Sequence, residues 1–256
     1  VRTELYTVTK NNGTRRTGIL FKQEDSNLAP TIYLEEFYQK YLKGQQVPDL
    51  ADSICSIYQE IRVKKTCDCQ NLFDFNHVKE HIVYKLIRRD ANEELLKQIP
   101  YEPFLDLAVV YYIQIDNTRF GSAAIQIRNE HLRYWRVEKE EIRRLAEKNT
   151  PRIYPVQIRQ IVRFMYVATN EQCSLGAAVM RYPDFREKVR GMIRGDFYIL
   201  PSSIHEVILV PESFGLEPER MQEMVKEINQ TGVAPEEVLS DSVYYFDGEE
   251  IRIVAK

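Results

Sequence analysis

A chain of 256 residues, 44% of them hydrophobic and 11% aromatic, is long enough for one large domain or two small ones and buries a substantial core, which excludes a disordered or fibrous chain. No apolar run approaches the roughly 20 residues that span a bilayer, and no charged-then-apolar leader opens the sequence, so the expectation is a cytoplasmic protein with no membrane role. The net charge of −3 hides a basic middle and an acidic end: 23 Lys/Arg against 22 Asp/Glu in residues 1–150, 8 against 3 in residues 151–195, and 4 against 13 in residues 196–256.

In chain order, residues 4–9 and 17–22 flank Asn11-Asn12-Gly13, a hairpin signal because Asn and Gly tolerate positive φ. A strand is already under way at residue 2 and position 1 is Val, so a preceding segment is expected. Leu34, Phe37, Tyr38, Tyr41 and Leu42 recur at helical spacing, as do Leu50, Ile54, Ile57, Tyr58 and Ile61, which predicts two helices separated near residues 44–48. The polar stretch 63–74 is the expected break between a unit of hairpin plus two helices, 1–74, and a main domain, 75–256. A short helix capped by Asp74 follows, then a strand over 82–87 rich in β-branched and aromatic residues, then a helix restarting near Asp90.

Residues 104–115 and 121–128 read as a second hairpin, residues 130–135 and 138–148 as helices, the latter ending before Pro151. Residues 165–169 and 176–181 read as a third hairpin, followed by a helix over 183–193 and strands over 197–200 and 204–210. Pro218 opens a last helix whose Met221, Met224, Val225 and Ile228 lie on one face. Residues 243–246 and 251–254 close the chain as a hairpin. Strands joined by hairpins with helices between them predict an α+β fold of mixed, largely antiparallel sheets with helices packed on them.

Five stretches are familiar together: Asn11-Asn12-Gly13, residues 29–34 (APTIYL), 103–109 (PFLDLAV), 196–211 (DFYILPSSIHEVILVP) and 234–245 (APEEVLSDSVYY). In this ordered set, which spans nearly the whole chain, the sequence resembles the bacterial domain-of-unknown-function family 5688. More distantly, Leu200-Pro201-Ser202-Ser203 is similar to the YtpQ-like proteins, which also lack an established activity. The resemblance implies a bacterial intracellular protein with a segment before Val1, and it supplies no catalytic residues.

Chemistry-bearing residues concentrate in residues 201–211, where Ser202, Ser203, His205 and Glu206 stand at the mouth of an apolar strand. In an extended strand Ser203 and His205 share a face while Glu206 takes the other, so a Ser-His-acid triad needs a carboxylate from elsewhere, and Asp106 and Asp241 are the candidates. The reading set beside it makes residues 201–203 a turn whose hydroxyls satisfy local backbone groups. Asp106 interrupts an apolar strand, so pairing with an arginine of the basic middle is expected. Cys67, Cys69, His77 and His81 are zinc-ligand types, with His77 and His81 four apart on one helix face. The Cys-x-Cys spacing is tighter than that of zinc fingers, however, and an exposed loop and helix face is the reading adopted.

Arg181, Arg186, Lys188, Arg190 and Arg194 could meet phosphates, but Asp184 and Glu187 among them favour a solvated amphipathic face. No phosphate-cradling or dinucleotide glycine motif is present, and no cofactor is expected. The leading expectation is a non-enzymatic domain that binds a protein or small ligand. A hydrolase or transferase built on Ser203 and His205 is the first alternative, and nucleic-acid binding through the basic segment 151–195 the second.

Overall fold

The computed structural model describes residues 1–22, 29–61, 74–118 and 121–256, with the side chains of residues 116–118 and 121–123 outside the description. Three antiparallel sheets carry the fold, and every strand pair among the described residues is antiparallel. The architecture is α+β.

The first sheet comprises β1 (Arg2–Thr9), β2 (Arg15–Lys22) and β3 (Thr31–Tyr33), and the opening hairpin turns through Asn11–Gly13 with Asn12 and Gly13 at positive φ. Helices α1 (Glu35–Leu42) and α2 (Val47–Ile61) pack on it. Phe21, Ile32, Phe37, Leu50, Ile54 and Tyr58 form an apolar cluster of their own there, with Phe21 and Tyr58 stacked at 4.3 Å between ring centroids. The recurring apolar positions at helical spacing are the cause: each helix turns one stripe toward the sheet.

The second sheet is built around β6 (Leu107–Thr118), with β4 (Ile82–Arg88) on one side and β5 (Tyr101–Phe104) then β7 (Gly121–Gln126) on the other. Short α3 (Phe75–Val78) precedes β4, and the Asp74 carboxylate accepts the Asn76 N–H as its cap. α4 (Glu93–Leu96) follows β4, and α5 (Asn129–Trp135) and α6 (Lys139–Ile153) follow β7. α6 runs past Pro151, because a proline in the last turn forfeits one backbone bond and the Tyr154 N–H still closes on the Thr150 carbonyl.

The third sheet has the order β13-β12-β10-β11-β9-β8, from β8 (Val156–Val162), β9 (Met165–Asn170), β10 (Phe197–Leu200), β11 (Val207–Pro211), β12 (Val243–Phe246) and β13 (Ile251–Ala255). Here the expected third hairpin is corrected. β9 pairs with β8 and β11, while Gly176–Arg181 is a 3-10 helix pressed against the sheet. Gly176 explains the packing: a Cβ there would lie 2.1 Å from Thr169 Oγ1 and 2.4 Å from the His205 carbonyl oxygen, so only glycine permits the approach. α7 (Phe185–Met192) follows that 3-10 helix, and α8 (Pro218–Thr231) lies between β11 and β12 in sequence.

The main core fills the space between the second and third sheets. Tyr84, Leu86, Val109 and Tyr111 face Phe197, Ile199, Leu209 and Tyr244, with Ile142 and Ala146 of α6 closing the cluster. The opposite face of the third sheet carries Leu200, Val210 and Val243 against Met221 and Val225 of α8. A fully buried side chain of this size stabilises by about 1.5–3 kcal/mol, which is why both faces of the central strands are apolar.

Candidate ligand-binding cleft

β11 begins at Val207, so Ser202 to Glu206 lie before the strand, in a segment held by one bridge between Ser203 and Val238. Strand alternation therefore does not set their directions. The Ser203 hydroxyl accepts the His205 backbone N–H at 3.0 Å. The His205 ring accepts the Leu175 N–H at Nδ1 (3.2 Å), which leaves its proton on Nε2, 3.2 Å from the Glu237 carboxylate. The carboxylate on this histidine is thus Glu237, and neither Asp106 nor Asp241. Sequence spacing offered no signal for Glu237, which arrives from the loop after α8.

Asp106 sits in the tight turn between β5 and β6 and takes hydroxyls rather than an arginine of the basic middle. Ser240 Oγ donates to it at 2.6 Å, Ser242 Oγ at 2.8 Å, and the Tyr244 hydroxyl donates to its other oxygen. Burial first, then the Asp106 charge, pushes the Tyr244 phenol well above its ordinary pKa. Asp241 accepts from Arg88 Nη1 and from Asn229 Nδ2, each at 2.8 Å. Burial acts to raise its pKa, yet those two hydrogen bonds and the Arg88 charge leave it lowered. The same guanidinium holds Asp90 at 2.8 Å and, chiefly through that bond, lowers its pKa.

Cys67 and Cys69 lie outside the described residues. His77 falls in α3 and His81 in the 3-10 turn that follows, and among the described residues no group of three or more His, Cys, Asp or Glu side chains is placed to hold a metal. In the basic segment, Arg181 faces Glu147 at 3.4 Å, Lys188 faces Asp184 at 2.8 Å, and Arg186 and Arg190 donate to the Glu249 and Gly248 carbonyls. The basic middle and the acidic end meet at the closing hairpin, through backbone carbonyls.

The Asn11–Gly13 turn reaches across to the main body. Asn12 Nδ2 donates to the Pro235 and Val238 carbonyls, Asn11 Nδ2 to the Glu236 carbonyl, and Asn12 and Asn92 bond each other through backbone and side chain. Arg16 adds an ion pair to Glu236 at 2.5 Å. Beside this latch lies a cleft of about 790 Å³, lined from the hairpin by Thr9, Lys10 and Asn11 and from the second sheet and its flanks by Lys85, Gln98, Gln126 and Arg128, with Asp90, Glu93 and Glu94 on its acidic side.

Lys85 owes its place to alternation along β4: Tyr84 and Leu86 enter the main core, so Lys85 shares the other face with Val83 and Ile87. Its amine stands 5.8 Å from the Tyr112 ring centroid, and Lys10 lies over Tyr33 at 4.5 Å. Among the described residues neither lysine has an ion-pair partner. Burial, and then the Lys10 charge, pulls the Lys85 pKa below its ordinary value. Of the three acids on the cleft wall, Asp90 and Glu94 are already paired with Arg88 and Lys97, and exposed Glu93 adds its charge to the surroundings of Lys97. Sequence reading passed over Lys85, since one lysine in an apolar strand carries no motif.

A model of a family of unknown function, DUF5688, matches residues 1–165 and 162–248, nearly the whole chain. The chain belongs to the DUF5688 family. No curated protein and no solved structure matches it. The stretches that carry the DUF5688 resemblance in the sequence interlock in space: Asn11-Asn12-Gly13 docks on residues 235–238, Asp106 gathers Ser240, Ser242 and Tyr244, His205 meets Glu237, and Tyr245 donates to Asp196 at 3.1 Å. In this DUF5688 chain those segments act as mutual anchors, and the cleft opens next to them. No helix among the described residues is long and apolar enough to cross a membrane.

Proposed function

We propose that the protein is a non-enzymatic binding module whose small-molecule ligand occupies the cleft between the Asn11–Gly13 hairpin and the outer face of the second sheet. Residues 1–74 form a unit of their own in this reading, and the latch to residues 235–238 sets the cleft's width. The observation that carries it is the cleft itself: about 790 Å³, within the range of small-ligand sites, with two lysines that make no ion pair among the described residues. The engagement of both His205 nitrogens by Leu175 and Glu237 supports reading that histidine as a bridge between loops, because neither nitrogen is left to take the Ser203 proton.

Thermal-shift screening of a small-metabolite collection tests the reading. A ligand that binds only the folded state raises the melting temperature. Compounds that stabilise the wild type and lose their effect on Gln98→Trp, which fills the cleft from an exposed wall position, are the expected result. Stabilisation of both proteins to the same degree, or none across the collection, refutes the cleft as the binding site.

A further inference from the structure

The charges left over in the cleft specify the kind of ligand. Lys10 arrives from the hairpin and Lys85 from β4, two different parts of the chain, and both line one cavity. Surface lysines are ordinarily solvated and indifferent to pairing, but Lys85 is half-buried on a face otherwise made of Val83, Ile87, Val110 and Tyr112. Its amine has an aromatic ring on one side and a second ammonium group close enough to depress its pKa further. An ammonium group in such surroundings is costly unless paired, and no carboxylate among the described residues pairs it. Exposed Arg128 adds a third cation, held by the Gln98 side chain at 2.9 Å. Of the acids on the opposite wall, Asp90 and Glu94 turn to Arg88 and Lys97, neither of which lines the cleft, and exposed Glu93 adds its charge to the surroundings of Lys97.

We infer that the cleft binds an oxyanion, a carboxylate or phosphoryl group seated between Lys10 and Lys85 that ties the hairpin to the second sheet. This inference rests on the binding reading above and names its ligand class. Because the two lysines belong to separate elements, the anion both discharges their mutual repulsion and bridges the parts they stand on. Binding draws a proton from solvent onto whatever fraction of Lys85 is neutral, so the amine titrates at higher pH when the anion is bound.

The test uses the full chain with 13C-labelled lysine, following the ε-carbon resonances while inorganic phosphate or succinate is added at constant ionic strength. Saturable shifts at Lys10 and Lys85, an upward move of the Lys85 titration midpoint, and a loss of affinity of about tenfold or more in Lys85→Met are the expected result, a charge-assisted bond being worth about that factor. Circular dichroism of Lys85→Met establishes that the variant is folded, and Lys10→Met, altered on the more exposed hairpin, gives an independent check. Saturation by phosphate alone assigns a phosphoryl ligand, and by succinate alone a carboxylate. Linear, non-saturating shifts with both anions, or saturation unchanged in both variants, overturns the inference. Uncharged compounds that perturb the cleft resonances while neither anion does overturn the anion assignment and leave the binding cleft standing. If neither anions nor neutral compounds perturb them, the inference falls together with the cleft.

Discussion

Removing the carboxylate of Asp106 should be among the most damaging single changes in the second and third sheets. The two oxygens accept from Ser240, Ser242 and Tyr244, and those three residues are 1%, 2% and 0% exposed, so their hydroxyls have no water to fall back on. Each buried hydroxyl left without an acceptor costs about 1–3 kcal/mol. Asp106 is itself half-buried, so water entering the vacated space relieves part of the loss, and Asp106→Ala is expected to cost about 3–5 kcal/mol. For a chain of this size that corresponds to a fall in melting temperature of roughly 10 °C.

Asp106→Asn keeps one acceptor oxygen and loses the charge, so it should cost about 1–2 kcal/mol. Urea unfolding of the single variants, of Tyr244→Phe and of the double variant Asp106→Ala/Tyr244→Phe isolates the pair. The Tyr244→Phe cost should largely vanish once Asp106 is gone. A coupling below about 0.5 kcal/mol, within the range expected of independent sites, refutes the idea that this carboxylate anchors the third sheet to the β5–β6 turn.

Gly176→Ala should cost about 1–3 kcal/mol by overpacking against Thr169 and the His205 carbonyl, and the His205 ring resonances should shift with it; unchanged stability and unchanged resonances would contradict the close approach. Asn12→Ala removes the bonds to Pro235, Val238 and Asn92 and puts a less tolerant residue at φ 57°, so amide exchange in β1 and β2 should accelerate more than exchange in β6; Asn12→Gly, which restores only the backbone freedom, should recover part of the loss. Lys85→Met should raise stability at neutral pH. The folded pKa of Lys85 is depressed, so the unfolded chain binds more protons and the wild type gains stability as pH climbs; the advantage of the variant should therefore shrink toward about pH 10.4, and a pH-independent gain argues against burial of the charge. Asp90, lowered chiefly by Arg88, and Asp241, lowered by Asn229 and Arg88, contribute stability above the unfolded carboxylate value near 3.9 that is lost as pH falls through their lower folded values, so Arg88→Met should flatten acid unfolding below about pH 4.

Local chemistry by itself determined most of the elements. Asn11-Asn12-Gly13 predicts its hairpin because those residues accept positive φ, the β-branched run at residues 82–87 makes β4, Asp74 caps α3, and Pro218 opens α8. These outcomes depend on neighbours a few positions away, which is why they were readable. Where the local pattern failed, a tertiary contact overrode it. Both edges of β9 are taken by β8 and β11, so residues 176–181 pack tightly through Gly176 as a 3-10 helix instead, and Pro151 is carried inside α6 by the burial of Asn149 and Thr150, whose side chains bond to β4 and its approach.

Only the tertiary structure decided the partners. Asp106 meets three hydroxyls more than 130 residues away, and His205 takes its carboxylate from Glu237, a pairing that spacing cannot specify because it depends on how α8 returns the chain. Lys85 and Lys10 are 75 positions apart, each unremarked in its own segment, and line one cleft only because the hairpin folds over β4. The sequence of this DUF5688 chain specified which segments form strands and helices, since backbone preference and periodicity are local. The cleft and its lysines without ion pairs arise where the Asn11–Gly13 hairpin meets the second sheet, a long-range contact with no local signature.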